Sequence, residues 1–206
     1  RKTPKTVKVS RKNITAETIE QIAYPVAQAS KTALLLNLLE TNNFERVIVF
    51  TRTKRSAESL AHIMTKREMK ANRIHANRSQ SQRESALRDF RQGKTRVLVA
   101  TDIASRGIDV DAVSHVINYD VPEEPESYVH RVGRTGRAGN IGQAITLVAP
   151  GDELAMRGIE RLTDQKLKRI LLPDFGGTEL LGGAFSKSSG FIKKKSFRSF
   201  RPRRGR

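Results

Sequence analysis

Val97-Leu-Val-Ala-Thr-Asp-Ile-Ala-Ser-Arg-Gly-Ile-Asp109 begins as an apolar run and ends as a polar loop. Four apolar residues ahead of Thr101 and Asp102 predict a buried strand of the kind found in parallel sheets covered by helices. Polar side chains then gather at the strand's carboxyl end, the edge where open α/β sheets bind ligands. Thr101 and Arg106 are placed for a phosphate backbone and Asp109 for a ribose hydroxyl. Equally, Thr101 and Asp102 could start a short helix that Gly107 ends.

Working outward, the same alternation repeats. Further strands are expected at Gln21–Pro25, Val47–Thr51, Asn72–Ala76, Ser114–Asn118 and Ala144–Ala149, with a last one near Lys168–Leu171. Between them Lys31–Thr41 carries Leu34, Leu35, Leu38 and Leu39 on one face, and Thr53–Glu68 carries Ala57, Leu60, Ala61 and Met64, with Thr53 as its N-cap. Gln80–Gln92 offers Ala86, Leu87 and Phe90, and Glu126–Val132 and Asp152–Thr163 complete the helices. Strand and helix in alternation predict an α/β fold with a mainly parallel sheet covered on both faces. Tyr128 belongs to its core, and His62 and His115 read as helix-face and strand-end residues.

Tyr128-Val-His-Arg-Val-Gly-Arg-Thr-Gly-Arg-Ala-Gly139 packs Arg131, Arg134, Arg137 and His130 among glycines. Arginine presents a rigid, permanently charged fork that fits phosphate oxygens two at a time. The three-residue spacing places the arginines on one side of a helix end that runs into a turn, where they can converge on one polyanion. The plain alternative is a solvated basic surface.

Net charge agrees with a polyanionic partner. The 206 residues carry +18, and no acid follows Glu179 whereas nine cations do, so half of that charge lies in the last 27 residues. There Lys193, Lys194, Lys195, Arg198, Arg201, Arg203 and Arg204 alternate with Phe191, Phe197 and Phe200, which couples backbone attraction to base stacking. No periodic apolar face can be drawn in this stretch, so residues 174–206 are expected to form a disordered RNA-binding tail, against the plainer view of a merely soluble end. A membrane surface could also attract such charge, but apolar runs of about four to six residues are too short to cross a bilayer, which excludes a transmembrane reading, and no membrane partner is expected. With no cysteine and four scattered histidines there is no metal-ligand pattern. The basic start lacks a signal peptide and a methionine, and the chain reads as an excised, cytoplasmic fragment.

Taken together, Thr101-Asp-x-x-x-Arg-Gly-x-Asp109 and His130-Arg-x-Gly-Arg-Thr-Gly-Arg137 resemble the signatures of the DEAD-box RNA helicases. Val49-Phe-Thr-Arg-Thr-Lys54 and Gln80-Ser-Gln-Arg83 resemble two further motifs of that family, with wording nearest its bacterial RhlE-like branch. The resemblance covers roughly residues 20 to 165. It implies a RecA-like three-layer sandwich over 19–173, preceded by an extension over 1–18, forming the second half of an ATP-dependent RNA helicase. It further implies that Arg134 and Arg137 reach the γ-phosphate of ATP, that Gly107 and Asp109 line its ribose side, and that His130 and Arg131 bridge the two halves. Thr53, Gln80, Arg83, Thr101, Asp102, Arg106 and Gly107 would meet single-stranded or duplex RNA without reading its sequence. ATP would come with Mg²⁺ held by the absent N-terminal RecA-like half, so this chain alone is expected to be inactive. One departure is Ala76, where the family has glycine; if the site needs positive φ, alanine strains it.

Two stretches imitate catalytic motifs. Gly93-Lys-Thr95 lacks the second glycine of a phosphate loop and follows a helix, so Gly93 is a helix-ending glycine. Asp152-Glu-Leu-Ala155 follows Pro150-Gly151 and starts a helix. A non-catalytic RNA-binding scaffold would not need Arg134, Arg137 and Asp109, and a DNA helicase half would carry glutamine in place of His130. If the tail tethers RNA, deleting residues 180–206 should sharply reduce the slope of log affinity against log salt, as measured by equilibrium binding across a salt series.

Overall fold

Strands that are apolar on both sides need cover on both sides, and this requirement sets the architecture. The structure, a computed structural model, describes residues 19–102, 113–136, 141–175 and 192–193. Its strands are β1 (Ile19–Pro25), β2 (Val47–Thr51), β3 (Ala71–Ile74), β4 (Val97–Thr101), β5 (His115–Asn118), β6 (Gly142–Val148), β7 (Lys168–Leu171) and β8 (Ile192–Lys193). The helices are α1 (Lys31–Thr41), α2 (Lys54–Lys66), α3 (Gln80–Arg91), α4 (Pro125–Val132) and α5 (Glu153–Thr163). All strand pairs are parallel, in the order β3-β4-β2-β5-β6-β1-β7-β8.

Alternation along the strands sorts the core into two layers. Val47 and Val49 of β2 and Val97 and Val99 of β4 pack with Leu34, Leu35 and Leu39 of α1 and Leu60 and Met64 of α2. Their neighbours Ile48, Phe50, Leu98 and Ala100 turn the other way, onto Ala86 and Phe90 of α3. On that second face Tyr128 and Val132 of α4 and Met156 and Ile159 of α5 close over Ala144 and Val148 of β6. The outcome is the expected RecA-like three-layer sandwich. Tyr128 is a core residue: it is 1% exposed, its hydroxyl donates to Gln21 Oε1 at 2.8 Å, and burial pushes its phenol well above the usual range.

Local chemistry explains where elements stop. Thr53 Oγ1 accepts from Ser56 N at 3.0 Å and caps α2, and Ser79 with Gln82 forms a reciprocal capping box on α3. Gly93 sits at φ +73° just past α3, the left-handed position a helix-ending glycine supplies. β3 ends at Ile74, earlier than expected, because His75 turns inward to Glu58 and the chain turns at Ala76. Ala76 is not strained: among the described non-glycine residues only Glu68 and Asp164 take positive φ. Within the basic tail only Ile192 and Lys193 are described, paired with Ile170 and Leu171 of β7.

At the amino ends of the strands His115 stacks on Phe44, ring centroids 3.8 Å apart, and burial and then the Arg96 charge lower its pKa below the usual 6.5. The unfolded chain therefore binds this proton more readily than the folded one. Its contribution to stability is complete above about pH 6.5 and is lost as pH falls from there through the folded pKa. Urea midpoints measured across that range should fall with acidification in the native chain and fall less in His115→Phe.

Candidate functional site

The carboxyl ends of β2, β4 and β5 lie side by side, because Thr51 pairs with Thr101 and Phe50 with Asn118. Across them, from α4, reaches Arg131, which is 3% exposed. Its Nε and Nη2 donate to the two oxygens of Asp102, each at 2.6 Å, and Nη1 donates to Asn118 Oδ1 at 3.1 Å and to the Asp120 carbonyl at 2.8 Å. The guanidinium also lies 5.1 Å from the centre of the Phe50 ring. Four of its five N–H bonds are thus satisfied inside the chain. Asn118 in turn donates to Thr146 Oγ1 at 3.2 Å, carrying the polar layer on to β6.

This corrects one expectation. Arg131 does not share an outer face with Arg134: α4 ends at Val132, and the residues beyond Gly133 leave the helical track. Asp102 keeps a third of its side chain exposed while both its carboxylate oxygens hold Arg131. Arg134 itself is half-buried and His130 is exposed.

A second tie forms just beyond the helix. Val113 N donates to the Arg134 carbonyl at 3.3 Å, and Thr135 Oγ1 donates to the Val113 carbonyl at 2.6 Å. Val113 closes the stretch 103–112 that Asp102 opens. Hence Asp102 and Val113, the described residues on either side of 103–112, both bond to the segment holding Arg131, Arg134 and Thr135. Gly142 lets β6 start directly beside this turn, because a Cβ there would collide with Gly136 N and Thr135 Oγ1.

On the other side of β4 and β2, the amino ends of α2 and α3 come together. Lys54 Nζ donates to Asn77 Oδ1 at 3.0 Å, and neither first turn contains an acid. Gln80 is exposed and donates to Glu84 Oε1 at 2.8 Å, Arg83 is half-buried, and Thr101 is buried at the end of β4.

The family model for the helicase conserved C-terminal domain matches residues 30–139. The DEAD-box protein SrmB of E. coli, solved bound to the regulator of ribonuclease activity A, superposes with a TM-score of 0.73 at 36% identity, over 77% of this chain and 94% of that one. The chain belongs to the DEAD-box helicases, as a C-terminal helicase domain. The C-terminal domain of the DEAD-box protein Dbp5 also matches, with a TM-score of 0.73 at 29% identity over 80% and 96% of the two chains. The DEAD-box ATP-dependent RNA helicase CshA of Bacillus subtilis is 45% identical over 170 residues, 82% of this chain and 34% of CshA. The chain thus spans about a third of the length of that relative. The finer likeness to the RhlE branch rests on sequence wording alone.

Arg106, Gly107, Asp109, Arg137 and the tail cations from Lys194 onward lie outside the described residues, as does the side chain of Lys193. The helicase domain also holds site-edge residues that sequence patterns do not single out. Asn118 and Asp120 are ordinary strand-end residues until Arg131 arrives. Lys31 looks like a helix start, yet it is 1% exposed and its ammonium pairs with Asp152 at 2.9 Å. Asp152, in the stretch that imitates a catalytic box, starts α5 as expected, and its carboxylate serves Lys31 and accepts from Ala149 N at 3.0 Å. Arg52 is held by Asp120, which accepts its backbone N–H at 2.8 Å, and by the Val121 carbonyl at 3.3 Å.

Removing one member of a fully buried ion pair costs about 3–5 kcal/mol. Asp102 is a third exposed and can be solvated in part, so Arg131→Met should lower stability by less, about 1–3 kcal/mol, in urea denaturation. The double variant Arg131→Met/Asp102→Leu should regain part of the loss, because it buries no lone charge.

Proposed function

We propose that this domain is the C-terminal half of an ATP-dependent RNA helicase, presenting Arg134 and Arg137 to the triphosphate and a sequence-independent set of contacts to RNA. The observation that best supports this is that Asp102 and Val113 both bond to the segment holding Arg131, Arg134 and Thr135. Such ties give Arg134 and the carboxyl end of β4 one common frame. Arg131 then acts as a positioning residue, and Arg134, a half-buried cation just past a helix end, suits phosphoryl oxygens.

ATP, when bound, supplies the transferable phosphoryl group, and its Mg²⁺ would be held by the N-terminal RecA-like half. Gly107 and Asp109 would take the ribose side and His130 the junction between halves. Arg134 and Arg137 would stabilise negative charge developing on the phosphoryl oxygens, each keeping its charge whatever the pH. Thr53, Gln80, Arg83, Thr101, Asp102, Arg106 and Gly107 would line the RNA side, where two helix amino ends free of acids favour phosphates. The tail from Lys193 through Lys194, Lys195, Arg198, Arg201, Arg203 and Arg204 would add non-specific affinity, and a cytoplasmic site of action fits this reading.

The test is RNA-stimulated ATP hydrolysis, first by this chain alone and then with the N-terminal half of its parent joined to it. Silence is expected from the chain alone. The joined halves should turn over ATP, and Arg134→Lys should lower that turnover by about 10³-fold or more. Hydrolysis by the chain alone, or near-normal turnover of Arg134→Lys, would remove the assignment.

A further inference from the structure

Glu58 is an acid on α2, one turn from Lys54 and paired with Arg73 of β3. Its carboxylate accepts from Arg73 Nε at 2.9 Å and pairs with His75 Nε2 at 2.7 Å. Arg73 and His75 are two residues apart, so they face the same side of the extended chain. Glu58 and Lys54 are four apart and share one face of α2, and Lys54 meets Asn77 in the turn that follows. Three alternate residues leaving β3 are thus gripped from a single helix face. β3 is the edge strand, and among the described residues its one strand partner is β4. His75 is 2% exposed and its Nδ1 has no hydrogen-bond partner among the described residues, where the bond to Glu58 is the ring's polar tether. Burial draws the Glu58 pKa up, but the hydrogen bond from His75 and the Arg73 and His75 charges outweigh it and hold the carboxyl below its ordinary value.

We propose that Glu58 is a positioning residue for RNA binding, fixing through Arg73 and His75 the gap between the amino ends of α2 and α3. This rests on the reading above that those two helix ends meet an RNA backbone. The turn from His75 to Ser79 is all that connects β3 to α3, so the place of Gln80 and Arg83 follows from where β3 ends. Phosphates along one strand are evenly spaced, and two helix ends can share them only at a fixed separation. A purely electrostatic role makes the opposite prediction, because removing an acid from a basic surface should strengthen RNA binding.

The experiment is equilibrium binding of a fluorescent single-stranded RNA to the full 206-residue chain across a salt series, with circular dichroism to confirm folding. Arg83→Met tests the underlying reading and should weaken binding and lower the salt slope by about one. Glu58→Gln should bind roughly three- to tenfold more weakly, and Glu58→Gln/Arg83→Met no more weakly than Arg83→Met alone. Glu45→Gln, at an exposed acid just before the amino end of β2 and so away from the edge where α2 and α3 begin, should bind as the native chain does or more tightly. His75→Phe breaks the same tether without leaving a buried unpaired nitrogen; it should weaken binding too, and it decides the matter if Glu58→Gln does not fold. Normal or tighter binding by a folded Glu58→Gln, or by His75→Phe, while Arg83→Met is weakened, would overturn the proposal and leave the RNA reading standing. No effect from Arg83→Met would end both.

Discussion

A guanidinium withdrawn from water must find acceptors for its N–H groups and an anion for its charge, or the fold cannot hold it. Arg131 finds both at the carboxyl ends of the strands: Asp102 beyond β4, Asn118 at the end of β5 and the Asp120 carbonyl. β2 lies between those two strands, so the side chain spans the middle of the sheet above Phe50. The acceptors come from two stretches of chain, one at the end of β4 and one at the end of β5, and the donor is on the helix that precedes Arg134. One buried ion therefore relates the two sequence motifs in space, a relation that apolar packing, being non-directional, would leave looser.

The sheet makes this possible through register. Parallel pairing of β2 with both β4 and β5 brings three carboxyl ends level, so side chains placed just past the apolar runs collect at one edge. Helices that follow such strands begin at the same edge, which is why the acid-free amino ends of α2 and α3 are found there too. Fold and function are separable at this point. The apolar layers account for the sandwich, and the polar residues at one edge account for what the sandwich can bind.

Much of this was legible in the sequence because it depends on periodicity. Val47–Thr51, Val97–Thr101, Lys168–Leu171 and Lys31–Thr41 fall where alternation and spacing put them. Thr53 caps α2 because a threonine before a helical apolar pattern has that chemistry, and Gly93 closes α3 for the converse reason. Arg131 was not legible in the same way, for its partners Asp102 and Asn118 are 29 and 13 residues away. The Lys31–Asp152 pair spans 121 residues, and no local pattern marks a lysine as buried. Long-range polar pairing depends on topology, which the residue pattern supplies only after the strand order is known.

Arg131 and Arg134 show why spacing alone misleads. Three residues apart on a continuing helix, they would lie on one face and meet one ligand. The helix does not continue: Gly133 N bonds back to Val129, and Arg134 N and Thr135 N then make tighter bonds to Arg131 and Val132 before Thr135 crosses to Val113. The backbone leaves its helical path between the two arginines, and one side chain is drawn under the sheet edge while the other is only half covered. Two residues of one type in one motif thus take different duties, a buried cation that sets the frame and a neighbouring cation held by it. A helix end between like residues is as informative as their spacing, and here it is what lets one short helix bury Arg131 at the sheet edge while Arg134 stays half covered.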